Sequence, residues 1–203
     1  MMELNNLKDK ISYIIGRDMA SNLRKQGIDI EAEPFIQGMK EVLAGKPSSL
    51  SNADIQQAMM ALQQELGQKQ NAQGGENKKA GEEFLAANKN KEGVKTLPSG
   101  LQYEVLSEGS GKSPSKNDQV TTHYHGTLID GTVFDSSYER GQPATFPVNG
   151  VIAGWTEALQ LMKEGAKWRL YVPSDLAYGS QGAGDVIGPN TTLIFDVELI
   201  SVH

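Results

Sequence analysis

The sequence predicts an α+β protein in two parts, an all-helical arm followed by an antiparallel sheet packed on one short helix. Three observations predict it. Apolar residues recur at three- and four-residue spacing as far as Leu66, the stripe vanishes in a Gln-, Asn-, Lys- and Gly-rich stretch from Gly67 to Gly81, and after residue 100 short β-like runs alternate with turn residues. A chain of 203 residues is long enough for two small units, each with a modest core.

In the arm, Leu4, Leu7, Ile11, Ile14, Ile15, Met19 and Leu23 fall on one face of a first helix that Gly27 ends. Pro34, favoured in a first turn, starts a second helix carrying Phe35, Met39, Val42 and Leu43, and Gly45 and Pro47 stop it. Ser51 and Asp54 form a capping-box pattern ahead of a third stripe, Ile55, Met59, Leu62 and Leu66. Thin amphipathic helices of this length make no deep core alone. Either the C-terminal domain or a second copy of the chain covers them; periodicity leaves both open, and homodimerisation through residues 1–66 is the expectation.

Residues 67–95 read as a connecting helix or linker. Each interior glycine costs a helix about 1 kcal/mol relative to alanine, so Gly74 and Gly75 soften it, while Ala80, Phe84, Leu85 and Ala87 allow helix to resume. Lys78, Lys79, Lys89 and Lys91 are interleaved with Glu and Asn, a solvated face. The domain over 96–203 follows, with strands expected at Leu101–Leu106, Gln119–Leu128, Lys167–Val172 and Thr192–Ile200. Trp155, Ala158, Leu159 and Met162, at helical spacing after Gly154, mark the helix that covers one sheet face.

Composition narrows the function. A formal net charge of −6 gives no field for phosphate backbones, so nucleic acid is not an expected partner. No cysteine is present, which removes disulfides, thiolate metal sites and cysteine nucleophiles. No apolar run reaches membrane-span length, and the start of the chain has no leader pattern. A cytoplasmic location is expected, the alternative being periplasmic or outer-membrane-associated if a leader was removed. His123 and His125 share one face of a strand but have no third ligand at a telling spacing, so no metal is expected. Ser136 and Ser137 lack the glycine frame of a nucleophile elbow, and the glycine-rich AYGSQGAG at 177–184 lacks the Lys-Ser/Thr pair of a phosphate loop. No cofactor is expected.

Aromatic and aliphatic residues cluster beside turns, in the ordered words GTVFDSS (131–137), GVIAGWTEAL (150–159), AYG (177–179) and TLIFDVELI (192–200). This series closely resembles the FKBP family of peptidyl-prolyl cis-trans isomerases. IGRDMASNLRKQGIDI followed by FIQGM resembles the helical dimerisation arm of its macrophage infectivity potentiator-like (Mip/FklB) subgroup. Together the two cover nearly the whole chain.

The resemblance implies a strongly curved sheet wrapped on a short helix, with Trp155 as the floor of a pocket and Tyr124, Phe134, Val151, Ile152, Ile187 and Phe195 as walls. Phe146 would line the rim, Asp135 and Tyr178 would be the polar groups at the edge, and Arg140 would hold Asp135 by a charge-assisted hydrogen bond. In the family, a backbone N–H at the position of Ile152 and the phenol at that of Tyr178 grip substrate carbonyls. Proline-containing unfolded polypeptides are the implied substrates, and macrolides such as FK506 or rapamycin the implied inhibitors. Ala144 stands where many single-domain relatives carry a second rim aromatic, Asp185 lies near the mouth, and Trp168 is read as structural. Two other classes stay open on the residues: a holdase-type chaperone whose helical cleft binds apolar segments, with methionines such as Met59 and Met60 suited to adaptable contact, and a ligand-binding module without turnover.

Overall fold

The computed structural model describes residues 4–203, which form two compact units, one running to Lys69 and the other covering Gln70–His203. Helix α1 (Leu7–Lys25) is capped by Asn6, whose side chain accepts from the Asp9 N–H at 2.9 Å, and Gly27 turns the chain away in a left-handed conformation, φ +73°. Helix α2 (Ala32–Leu43) begins two residues before Pro34, which sits in its first turn. Helix α3 (Asn52–Asn88) opens with the expected capping box: the Asp54 N–H donates to Ser51 Oγ at 3.2 Å and the Ser51 N–H to Asp54 Oδ2 at 3.3 Å.

The helical unit has no buried apolar side chain among the described residues. Helices α1 and α2 bury nothing, and α3 buries only Gly74, Gly81 and Asn88, which belong to the other unit. Leu7 is 73% exposed, Met60 71% and Leu43 86%.

The connector is helix through Asn88, glycines included. Two of these glycines are buried against the sheet domain. A Cβ at Gly74 would lie 3.1 Å from Asn190 Nδ2 and 3.3 Å from Pro189 Cβ, and one at Gly81 would collide with the Thr192 side chain. Further along, Asn88 Nδ2 donates to Gln102 Oε1 at 3.0 Å, and Gln102 Nε2 to the Leu85 carbonyl at 2.9 Å. Close packing and these bonds offset the glycine cost, which the local sequence alone would count against the helix.

Seven strands form one antiparallel sheet: β1 (Val94–Thr96), β2 (Gln102–Ser107), β3 (Gln119–Leu128), β4 (Val133–Ser136), β5 (Ala144–Pro147), β6 (Lys167–Val172) and β7 (Leu193–Val202). The order is β1-β2-β6-β7-β3-β4, with β5 also pairing β3. Strand β3 divides that edge, meeting β5 at Gln119–Thr122 and β4 from His125 onward. Register shifts at Val105, Gly126 and Thr121 are bulges of the kind that bend a strand.

Alternate residues of β3 and β7, among them Val120, Tyr124, Leu193, Phe195, Val197 and Leu199, face the core. Helix α4 (Ala153–Leu161) covers them with Trp155, Ala158 and Leu159, followed by Met162. Gly154 lets α4 approach, since a Cβ there would stand 2.6 Å from Val172 Cγ1.

The two kinds of glycine in α3 respond oppositely to alanine. Gly75 has open space around its Cβ position, so Gly75→Ala is expected to stabilise the fold by about 0.5–1 kcal/mol. Gly81→Ala must displace Thr192 and is expected to destabilise it by about 1–3 kcal/mol. Urea unfolding of both full-length variants, followed by tryptophan fluorescence, checks the signs.

Candidate active site

The core of the sheet domain opens into a recess of about 650 Å³. Five elements each contribute one ring to it: β3 Tyr124, β4 Phe134, β5 Phe146, α4 Trp155 and β7 Phe195. Trp155, 4% exposed, is the hub. Tyr124 and Phe195 meet its indole edge-on, each at 5.3 Å between centroids and 82° between planes, and Phe146 does so at 6.0 Å and 89°. Phe134 in turn stands edge-on to Phe195 at 5.4 Å. Such pairs are each worth about 0.5–1.5 kcal/mol beyond their burial, so they hold the rings against collapse into the space between them.

Two backbone features complete the recess. On β3, Gly126 lies under the rings of Phe134 and Phe195; a Cβ there would come 2.6 Å from Phe134 Cζ and 3.1 Å from Phe195 Cε1. At the start of α4, the Ile152 carbonyl accepts from the N–H groups of Trp155 and Thr156, both at 3.0 Å, while the Ile152 N–H makes no hydrogen bond to any described residue. The Tyr178 hydroxyl is likewise unpaired there, on a side chain 41% exposed at the mouth.

The polar edge is a closed network. The Tyr124 hydroxyl donates to Asp135 Oδ2 at 2.6 Å, Arg140 Nη1 donates to Asp135 Oδ1, and Arg140 Nη2 donates to the Tyr124 oxygen at 2.7 Å. The guanidinium also lies over the Tyr124 ring, 5.4 Å from its centroid. Burial, and then the bond to Asp135, push the Tyr124 phenol above its ordinary 10.0; the bonds to Tyr124 and Asp135 raise Arg140. Tyr124 thus stays neutral between the carboxyl and the guanidinium.

Of the eleven residues singled out in the sequence, ten line the recess: Tyr124, Phe134, Asp135, Phe146, Val151, Ile152, Trp155, Tyr178, Ile187 and Phe195. Arg140 does not. It sits behind Asp135 in a neighbouring groove with Val133, Ser136 and Glu139, so its reach to the recess runs through Asp135 and Tyr124. Sequence reasoning missed Gly150, Ala183, Gly184 and Val186 in the lining, small or loop residues with no periodic signal, while Asp185 lies at the mouth as read. Ala144, in β5, packs against the core outside the lining. Trp168 stacks on Tyr103 at 4.3 Å, away from the recess. His123 Nδ1 bonds Ser137 Oγ at 2.9 Å and its ring stacks on Tyr138; among the described residues no three His, Cys, Asp or Glu side chains gather as a metal site.

The raised phenol has a checkable sign. Because folded Tyr124 keeps its proton above the pH at which an unfolded tyrosine loses it, its contribution to stability is present below about pH 10 and is lost as pH rises through its higher folded value. Tyr124→Phe is expected to remove part of the alkaline loss of stability, read as the slope of thermal midpoint against pH between pH 9 and 11.

Known proteins resemble this chain along nearly its whole length. The family described as FKBP-type peptidyl-prolyl cis-trans isomerase matches residues 110–200, and the domain amino terminal to FKBP-type isomerases matches residues 8–105. The chain is 49% identical to the outer membrane protein MIP of Legionella longbeachae, over 96% of this chain and 85% of that one. It is also 49% identical to the peptidyl-prolyl cis-trans isomerase Mip of Coxiella burnetii, over 98% and 88%. The crystal structure of FkpA from Escherichia coli superposes with a TM-score of 0.71 at 38% identity, covering 98% of each chain. Among the described residues no helix is long and apolar enough to cross a membrane. With relatives of that identity along nearly its full length, the chain belongs to the FKBP-type peptidyl-prolyl cis-trans isomerases, enzymes that turn X-Pro peptide bonds between cis and trans.

Proposed function

We propose that the proline ring of a substrate enters the recess around Trp155 and that the preceding amide rotates at its mouth. The observation that carries this reading is an aromatic box whose edge holds two hydrogen-bond donors without partners among the described residues, the Ile152 N–H and the Tyr178 hydroxyl.

The chemistry asks little else. Rotation breaks no covalent bond; the amide passes through a state without N–C=O resonance, against a barrier of about 18–20 kcal/mol. The planar amide is the more dipolar form. Moving it from water into an apolar recess weakens that form and favours the twisted one. The Ile152 N–H and the Tyr178 hydroxyl hold substrate carbonyls through the turn. Asp135, kept in place by Tyr124 and Arg140, presents a carboxylate at the edge where the twisted nitrogen becomes more basic. A thousandfold acceleration needs only about 4 kcal/mol of differential stabilisation.

Substrates are proline-containing stretches of unfolded or partly folded chains, and macrolides such as FK506 or rapamycin compete for the same recess. The helical unit pairs with a second copy of this chain, which the lack of any buried apolar side chain among its described residues supports. In this reading residues 1–66 form the pairing domain and 96–203 carry the chemistry, with 67–95 joining them. The cytoplasmic location expected from the sequence finds no support in the relatives, one of which is named an outer membrane protein. An envelope location is the reading that name favours.

Two measurements test these assignments. Asp135→Ala and Tyr178→Phe are each expected to lower kcat/KM on a proline tetrapeptide about tenfold, or ~1.4 kcal/mol, with tryptophan fluorescence of the folded state unchanged; wild-type rates in both would move the site elsewhere. Sedimentation at micromolar concentration is expected to show a dimer, which Ile14→Glu shifts to monomer. A wild-type monomer would leave the apolar faces to client segments.

A further inference from the structure

The loop from Gly179 to Thr192 supplies one wall of the recess, Ala183 to Ile187, and buries two apolar side chains of its own, Ile187, 8% exposed, and Pro189. The wall is a tight bridge, with the Ala183 N–H donating to the Ile187 carbonyl at 2.8 Å and the Ile187 N–H returning to Ala183 at 3.2 Å. Gly182 and Gly184, at φ +63° and +56°, make the bends, and Gly182 has no room for a Cβ against the Ile187 carbonyl. Val186, at the tip, is 45% exposed. Polar ties from outside the loop hold the rest of it.

Two asparagines make these ties, Asn77 on α3 and Asn190 in the loop itself. Asn77 Nδ2 donates to the Pro189 carbonyl at 2.9 Å and to Thr191 Oγ1 at 3.3 Å, and that hydroxyl passes the contact on to the Gly188 carbonyl at 2.8 Å. Asn190 has positive φ, at 54° alone among the described non-glycine residues. In that conformation its N–H closes the loop on the Gly179 carbonyl at 2.8 Å, while its side chain reaches back to donate to the Gly74 carbonyl at 3.2 Å. Gly74 and Gly188 allow the approach, since a Cβ at either would lie 3.1 Å from a carboxamide nitrogen, of Asn190 and of Asn77 respectively. One end of this clamp is next to Tyr178 and the other next to Ile187, both in the lining.

We propose that Asn77 and Asn190 are positioning residues for the isomerase: together they clamp the Gly179–Thr192 loop to α3 and so set where Tyr178 and the Ala183–Ile187 wall stand against the bound peptide. The helix segment from Gln70 is then part of the enzyme's working unit and not a spacer in front of it. A wall held by the clamp touches the peptide in its planar and twisted forms alike, so its loosening weakens binding more than turnover.

The proposal rests on the recess being the peptide site, and the test separates the two. In the full-length protein, Asn77→Ala and Asn190→Gly are compared with wild type on proline tetrapeptides. Asn190→Gly keeps the left-handed backbone accessible and removes only the link to Gly74, so it serves should Asn77→Ala fold poorly. Expected are a KM raised about three- to tenfold with kcat within about twofold, and faster amide exchange at Ala183 and Ile187, which reports on the wall without any substrate. Gln102→Ala, which cuts another tie of α3 by releasing Leu85 and Asn88, is expected to lower the thermal midpoint and leave KM unchanged. Unchanged KM and unchanged exchange in the asparagine variants overturn the clamp, as does a Gln102→Ala variant whose KM rises as much. If Asp135→Ala is also as active as wild type, it is the site reading that has failed, while the exchange result still judges the clamp.

Discussion

The indole of Trp155 is the fixed point of the sheet domain. Three rings from three strands meet it edge-on, and none of them could stand there unless α4 delivered the indole against the sheet at close range. Gly154 against Val172 sets that range, and Thr156 Oγ1, donating to the Val148 carbonyl at 2.7 Å, ties the helix start to the turn before it. The geometry that packs the core also leaves it incomplete on one side. Edge-to-face rings prefer about 4.5–7 Å between centroids and resist sliding into a flat stack, so a gap remains where an ordinary core would have closed.

An apolar recess with a carboxylate at its edge raises an electrostatic question that the Tyr124, Asp135 and Arg140 network answers. Unpaired, Asp135 would resist desolvation whenever a peptide covered it. Paired to a guanidinium and a phenol, it keeps its position. The pair is partly exposed, so its direct contribution to stability is small. Its value is orientational: Arg140 lies behind Asp135, outside the lining, and acts on the recess only through the groups it holds.

Much of this was legible in the sequence because the relevant signals were local. Strands β3 and β6 were readable to the residue because each is long enough to alternate, and α4 because four apolar residues keep helical spacing. Strands β1, β4 and β5, three or four residues each, carry no alternation, and what makes them strands is their pairing partners. Local propensity counted Gly74 and Gly75 against the helix; the packing of Pro189, Asn190 and Thr192, more than a hundred residues away, decided for it. The aromatic walls could be named through motif likeness, whereas Ala183, Gly184 and Val186 could not, since a loop that contributes mostly backbone leaves no side-chain pattern. Arg140 was paired correctly with Asp135, but the side of the carboxylate on which it lies depends on the β3–β4 register, which composition does not encode.

Gly126 gives the recess an unusual vulnerability. It sits at a bulge, pairs across the sheet with both Asp135 and Phe195, and is roofed by two rings that leave no room for even a methyl group. The depth of the enzyme's only aromatic box among the described residues is therefore governed at this point by a missing atom. A chain that kept every ring and every polar group yet carried alanine here would have to move Phe134 from its place in the wall. Such a sequence would keep every motif of the family around a recess of another shape, and a single codon would separate the two.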